Sequence, residues 1–311
     1  MEDYTKARIK VANLIGINVQ ELTYILYKIK IDNLYTKFEI PKKNGNLRTI
    51  YTPNNKLKYT QRQLGKHLYK THLDYISERQ IDQSISHGFE KNKSIITNAR
   101  IHKNKKYLLN IDILDFFSSF NFGRVQGYFH KSKEFNFSKE VSTILAQLVC
   151  YKGSLPQGAP TSPIISNLIF NIVDIRILRL TKKYKLNYTR YADDLSFSTN
   201  NRIFEKKYIS FLEELTNLLE NSGFKINGEK TRLQYNSSRQ EVTGLTTNKK
   251  INANRIFINK TRAMANSLYQ TNNFQINGEN GSINQLEGRF SFINQLDREN
   301  NRLEYQLTKK K

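Results

Sequence analysis

Residues 190–198 read RYADDLSFS. LNYTRY alternates apolar and polar side chains ahead of the acidic pair, and LSFS alternates again behind it. The stretch therefore predicts a β-hairpin with Asp193 and Asp194 in its turn. Two adjacent carboxylates repel, and holding them together costs free energy unless a cation neutralises them. A solvated turn would dissipate the repulsion, so the meaning of the pair rests on what else the fold brings to it.

The rest of the chain supplies positive charge in excess. Among 311 residues, 50 Lys and Arg stand against 27 Asp and Glu, a formal charge of +23. A charge of that size attracts polyanions, and nucleic acid is the usual partner. Basic stretches such as KNKSIITNARIHKNKKY (91–107) are spread along the chain, which favours a charged groove over a detachable tail. With 38% hydrophobic residues and 18 each of Tyr and Phe, the chain has the apolar content of a folded protein. Its single cysteine, Cys150, lies in the apolar run ILAQLVCY and reads as a small packed hydrophobe. No run is long and apolar enough for a membrane span, and MEDYTKARIK does not resemble a secretion signal, so no membrane partner and a cytoplasmic location are expected.

The periodicities mix helices with hairpins and give an α+β class. Residues 5–30 have helical spacing broken near Gly16, and PKKNGNLRTIYTP (41–53) reads as a hairpin with Asn44-Gly45 in its turn. KYLLNID (106–112) is a strand with Leu109 and Ile111 on one side and Leu108, Asn110 and Asp112 on the other. TSPIISNLIFNIVDIRILRL (161–180) is an apolar-faced helix with Ser162 as its cap. Residues 206–224 form an amphipathic helix ending at Gly223. VTGL (242–245) and KINANRIFI (250–258) have strand character. Two last helices follow, separated by the loop TNNFQINGENGS. Asp112, Asp193 and Asp194 would then meet around divalent metal. Two such ions activate an attacking hydroxyl and stabilise a leaving oxygen in phosphoryl transfer.

NIDILDFFSSF (110–120), LPQGAPTSPIISN (155–167) and YADD (191–194) resemble, in order and spacing, the palm motifs of reverse transcriptases. PKKNGNLRTI resembles that family's fingers hairpin, and GFKINGEKTRL (223–233) the segment after its catalytic hairpin. The resemblance implies a right-hand polymerase fold: N-terminal region and fingers (1–105), an antiparallel palm with helices (106–245) carrying a fingers insertion around 120–150, and a small helical thumb (246–311). It implies that Asp112, Asp193 and Asp194, with the carbonyl of Ile113, hold two Mg²⁺ ions, Mn²⁺ being an alternative. Phe117 would lie under the incoming sugar and exclude a ribose 2′-OH, although Phe116 and Phe120 beside it suggest plain core packing. Arg48, with Lys42 or Lys43, would hold the dNTP triphosphate. Gln157 and Gly158 would approach nucleotide and template, and Lys230 the leaving pyrophosphate, though GEKTRL also reads as a charged turn.

NARIH, an NAxxH pattern with Asn98 and His102, and Val242-Thr243-Gly244 resemble patterns of bacterial retron reverse transcriptases. These five residues are expected to take part in RNA binding. The partners implied are a cognate structured noncoding RNA, its cDNA product (branched multicopy single-stranded DNA, msDNA) and dNTPs. Priming from an RNA 2′-OH, antiphage defence and a separate effector protein are implied as well. No maturase, endonuclease or ribonuclease H domain is expected. The alternatives are a group II intron-like or abortive-infection reverse transcriptase, or a catalytically inactive RNA-binding relative.

Overall fold

A computed structural model describes residues 3–41, 45–81 and 85–308, with side chains through residue 301. In chain order, α1 (Tyr4–Ile15) and α2 (Val19–Thr23) lead into a π-helix, Tyr24–Ile29. The hairpin β1 (Tyr35–Pro41) and β2 (Leu47–Pro53) precedes the long α3 (Asn55–Glu78). The short α4 (Ile95–Ile101) comes before β3 (Tyr107–Leu114), which is followed by α5 (Phe122–Lys131), α6 (Lys139–Val149) and α7 (Ser162–Tyr184). Then come β4 (Asn187–Tyr191), β5 (Asp194–Thr199), α8 (Phe204–Asn221) and β6 (Lys225–Tyr235). A small hairpin, β7 (Glu241–Val242) and β8 (Leu245–Thr246), leads to α9 (Arg255–Thr271), the hairpin β9 (Gln275–Ile276) and β10 (Glu279–Asn280), and α10 (Ile283–Thr308).

Local chemistry sets the boundaries. Asp3, Asn54, Ser138 and Asn254 each accept a backbone N–H as helix N-caps. Ser94 and Thr97 form a reciprocal capping box at the start of α4. Gly16 and Gly223 end α1 and α8 at φ +67 and +76, as the sequence suggested. Ser162 departs from its expected role. Its hydroxyl donates to the Pro156 carbonyl at 2.7 Å and so tethers the LPQGAP loop.

The chain divides into two compact units. One comprises Met1–Phe89, Ile113–Leu178 and Glu214–Ile226. In it α1 packs on α2, α3 and α6, α5 packs on α6, and Phe116, Phe120, Phe170 and Phe224 form an aromatic cluster with centroids 4.8–6.4 Å apart. The other comprises Glu90–Asp112, Arg179–Glu213 and Asn227–Lys311. It is built on the four-stranded sheet, ordered β4-β5-β3-β6. One core here gathers Tyr188, Phe197 and Phe211, whose rings lie 4.9–5.2 Å apart in sequence of contact. A second gathers Ala99, Leu108, Val242, Leu245, Ile251 and Leu296, each contributing about 1–3 kcal/mol of burial for the larger side chains.

KINANRIFI is not a strand. Only Asn252 bridges, to Thr246, and from Arg255 the chain is already helical because Asn254 caps it. VTGL likewise bends as a hairpin turn rather than running straight. Among the described residues no helix is long and apolar enough to cross a membrane.

Candidate active site

β4 and β5 pair antiparallel with Tyr191 opposite Asp194, so the two-residue turn is Ala192–Asp193 and Asp194 opens β5. The acidic pair thus straddles the end of the turn instead of filling it. Ala192 holds φ +56, a backbone conformation that costs a non-glycine residue and is kept where the surroundings impose it. On its other side β5 pairs with β3, and the register sets Asp112 directly opposite Asp194. Facing positions on neighbouring strands bring side chains together, so two carboxylates distant in sequence meet by sheet geometry alone.

Lys230 on β6 answers this charge. Its ammonium donates to both carboxylate oxygens of Asp112 at 3.0 Å, and the Asn227 amide donates to Oδ1 at 3.1 Å. Asp194 is harder to ionise than an ordinary carboxyl. Desolvation first, then the charges of Asp193 and Asp112, raise its pKa from 3.8 to about 7, with Lys230 opposing them. The residue as a whole stays open to solvent, which screens the repulsion and keeps the free-energy cost of this shift small.

A groove runs from this pair across the sheet to the β7–β8 turn. Asp112 and Asp194 line it with Lys230, Arg232, Arg239, Thr243 and Gly244. Asn227, Arg232 and Arg239 were not singled out from sequence. Alternation along β6, which places Lys230, Arg232 and Gln234 on one face, was the available signal.

Among the described residues no three His, Cys, Asp or Glu side chains form a ready group of metal ligands. What the sheet does bring together is a smaller donor set, two facing carboxylates. Mg²⁺ takes one or two carboxylates and completes its shell with phosphate and water oxygens. Asp112 and Asp194 provide two facing carboxylates, and Lys230 already supplies positive charge at the same place.

The two short patterns near the ends of the sheet prove to be one assembly. Thr243 and Gly244, at φ +46 and +84, form the two-residue β7–β8 turn, whose φ signs glycine and few other residues accept readily. Asn98 donates from Nδ2 to the Thr243 hydroxyl at 3.4 Å and accepts on Oδ1 from the Thr189 hydroxyl. His102 Nε2 lies 2.7 Å from the same Thr189 oxygen, and His102 Nδ1 lies 2.8 Å from the Ser198 hydroxyl. Because Thr189 spends its proton on Asn98, His102 donates to it from Nε2, and in the neutral ring Nδ1 then accepts from Ser198. Thr189 and Ser198 stand on the two strands of the YADD hairpin. Asn98, His102 and Val242 are fully buried, whereas Gly244 is exposed at the groove. The expected RNA-binding set therefore divides. Asn98 and His102 spend their polar atoms inside the protein, and Thr243 and Gly244 reach the surface.

Apart from Lys230, the proposed nucleotide contacts that the structure describes, Arg48, Phe117, Gln157 and Gly158, belong to the other unit. Arg48 is exposed on β2, and Lys42 and Lys43 lie outside the described residues. Gln157 accepts from the Tyr51 N–H through its carbonyl at 2.8 Å, so its loop is docked on β2. Gly158 holds φ +119, and a Cβ there would lie 2.7 Å from both Ile50 Cγ2 and the Tyr51 oxygen. Glycine is required here by the protein's own backbone. Phe117 is only half buried, unlike Phe116 and Phe120, and its ring lies 6.5 Å from that of Phe89. Ile113 follows Asp112 on β3 and turns its buried side chain to the opposite face.

Known proteins resemble this chain. A model of the family described as "Reverse transcriptase (RNA-dependent DNA polymerase)" matches residues 40–252. The Retron Ec86 reverse transcriptase of Escherichia coli is 33% identical over 92% of this chain and 83% of its own length. The Retron Mx162 reverse transcriptase of Myxococcus xanthus is 31% identical over 92% of this chain and 63% of its own. Among solved structures, apo telomerase from Candida tropicalis, truncated from its C-terminal domain, superposes with a TM-score of 0.51 at 15% identity, covering 71% of this chain and 55% of that one. Telomerase from Candida albicans with a fragment of telomeric RNA gives 0.52 at 13% identity, covering 74% and 50%. The chain spans about half of these telomerase chains, and the likeness is one of fold: helices around an antiparallel sheet, the right-hand polymerase arrangement. With opposed aspartates on that sheet and sequence identity over most of its length, the chain belongs to the reverse transcriptase family and, within it, to the retron reverse transcriptases, which are RNA-directed DNA polymerases.

Proposed function

We propose that this enzyme copies part of a structured noncoding RNA, encoded beside its gene, into a short single-stranded DNA. Synthesis starts from an RNA 2′-OH and leaves a branched RNA–DNA molecule, msDNA. The observation that carries the reading is the single groove that joins Asp112, Asp194 and Lys230 to the Thr243–Gly244 turn. Charge chemistry suited to phosphoryl transfer lies beside the one exposed part of the retron pattern.

In this reading Asp112, Asp193 and Asp194 hold Mg²⁺, with Mn²⁺ able to replace it, and the carbonyl of Ile113 assists. The bound metal would activate the attacking hydroxyl and offset charge on the leaving phosphate. Lys230 neutralises Asp112 until the nucleotide arrives and then turns its ammonium to the departing pyrophosphate. Arg48 grips the triphosphate, Gln157 and Gly158 bound the base pair, and Phe117 denies space to a 2′-OH. Arg232 and Arg239 in the groove meet backbone phosphates of the RNA. We further propose that the DNA–RNA–protein complex serves antiphage defence with a separate effector protein.

The test is to express the gene with its flanking DNA and recover short single-stranded DNA resistant to ribonuclease. Debranching enzyme should shift its mobility by releasing the RNA. Unbranched DNA, or none, contradicts the priming and template reading while leaving polymerisation itself to a separate assay.

A further inference from the structure

We propose that a second surface, on the N-terminal helices, binds an unpaired segment of RNA by stacking its bases on tyrosines. It goes beyond the proposed function, which places RNA in the groove by Thr243–Gly244. Four tyrosines are strongly exposed on α1, the π-helix and α3: Tyr4 at 50%, Tyr24 at 49%, Tyr27 at 46% and Tyr59 at 55%. Single exposed aromatics are ordinary, but these are interleaved with cations. The Arg8 guanidinium lies 5.6 Å from the Tyr27 ring centroid, and the Lys56 ammonium 5.5 Å from that of Tyr24. Tyr4 stands one turn before Arg8 on α1, and Tyr59 one turn after Lys56 on α3, so each pair extends into a row. Tyr24 and Tyr27 join the rows because both stand in the π-helix, a rare element frequently found at functional sites.

The charge of the surface selects the partner. Lys28, Arg62 and Lys66 are exposed on the same elements and Lys30 just after the π-helix, and Glu21, 3.5 Å from Lys56, opposes them. An aromatic face with a cationic border matches a polyanion whose rings are accessible. A duplex hides its base faces, whereas a single strand offers them, and base–tyrosine stacking needs no particular sequence. The occupant is RNA because RNA is the strand present before any DNA has been made.

The experiment uses the full chain and fluorescence anisotropy with a labelled oligouridine of about 16 nucleotides, the upper range for one stacking surface. Tyr24→Ala combined with Tyr27→Ala should weaken this binding about tenfold or more. Binding of a blunt RNA duplex should change by under about threefold. Tyr24→Phe with Tyr27→Phe keeps both rings and should bind like the parent. An unchanged melting temperature in both variants shows that the fold persists. The proposal is overturned if the alanine variant binds oligouridine normally, or if duplex binding falls equally. It is also overturned if the phenylalanine variant fails to bind, or if only an oligothymidine probe is affected, which would make the DNA product the occupant.

Discussion

Lys230 donates to both oxygens of Asp112 at 3.0 Å, closing an ion pair between β6 and β3 beside the YADD hairpin. The lysine is more than half exposed while the aspartate is nearly buried, so the ammonium is free to swing out and the carboxylate is not. That asymmetry suits a group that neutralises the site at rest and meets the product pyrophosphate during turnover.

Lys230→Gln keeps a donor of similar length and removes the charge. Single-turnover dNTP incorporation on an RNA template should fall about 10²-fold or more, within the range for a positioned acid or electrostatic donor, with urea stability within about 0.5 kcal/mol of the parent. Unaltered incorporation would remove Lys230 from the reaction.

Gly158→Ala should destabilise the fold. The new Cβ would sit 2.7 Å from the Tyr51 oxygen at a φ that already disfavours side chains, and backbone cannot retreat cheaply. A loss of about 1–3 kcal/mol in urea unfolding is expected. A neutral result would mean that the loop relaxes freely away from β2.

The Thr189 hydroxyl serves Asn98 and His102 together. Thr189→Val strands a buried amide oxygen and an imidazole N–H, and should cost about 1–3 kcal/mol. In a double-mutant cycle, Asn98→Ala and Thr243→Ala should couple measurably, because the side chains touch. Simple additivity would show that the two patterns are independent.

If Phe117 lies under the sugar as proposed, Phe117→Val should relax discrimination between dNTP and rNTP by about tenfold or more, read as the ratio of kcat/KM values. Its half-buried position makes a large stability loss unexpected. Unchanged discrimination would leave Phe117 as packing against Phe116 and Phe89.

Much of this was legible in the sequence, and the failures have physical causes. The β-forming run KYLLNID identified β3 and put Asp112 on the side away from Leu109 and Ile111, because a strand's side chains have period two. What alternation cannot supply is register. That Asp112 faces Asp194 depends on pairing across more than eighty residues, and motif order alone pointed to it. The acidic pair was read one residue too deep in its turn, since Ala192 gives no local sign of a positive φ. Residues 250–258 misled through their β-branched Ile251, Ile256 and Ile258, where the decisive signal was the cap Asn254. Asn277-Gly278, read inside a loop, carries the pair of positive φ values of a tight hairpin, and Asn-Gly is the dipeptide that favours it. The burial of Asn98 and His102 could not be foreseen, because a short polar pattern looks alike at a surface and in a packed network.

Asp194 bears most directly on function, because its environment works against its own ionised form. Its folded-state pKa of about 7 lies above the ordinary 3.8, so between those values the native state holds the extra proton and loses stability as pH rises. Without metal, Asp194→Asn should therefore be at least as stable as the parent at neutral pH, with a flatter pH dependence over that interval. A functional carboxylate held at a cost to the fold behaves this way. A structural one does not.

The deciding measurement is Mg²⁺-dependent DNA synthesis on a primed RNA template by Asp194→Asn and by Asp193→Asn, with RNA binding and melting temperature recorded on the same preparations. The expected result is loss of incorporation by about 10³-fold or more, with RNA affinity and stability retained. Incorporation at the parent rate by either variant would contradict the assignment of these carboxylates to the metal, and with it the account of how this groove makes DNA.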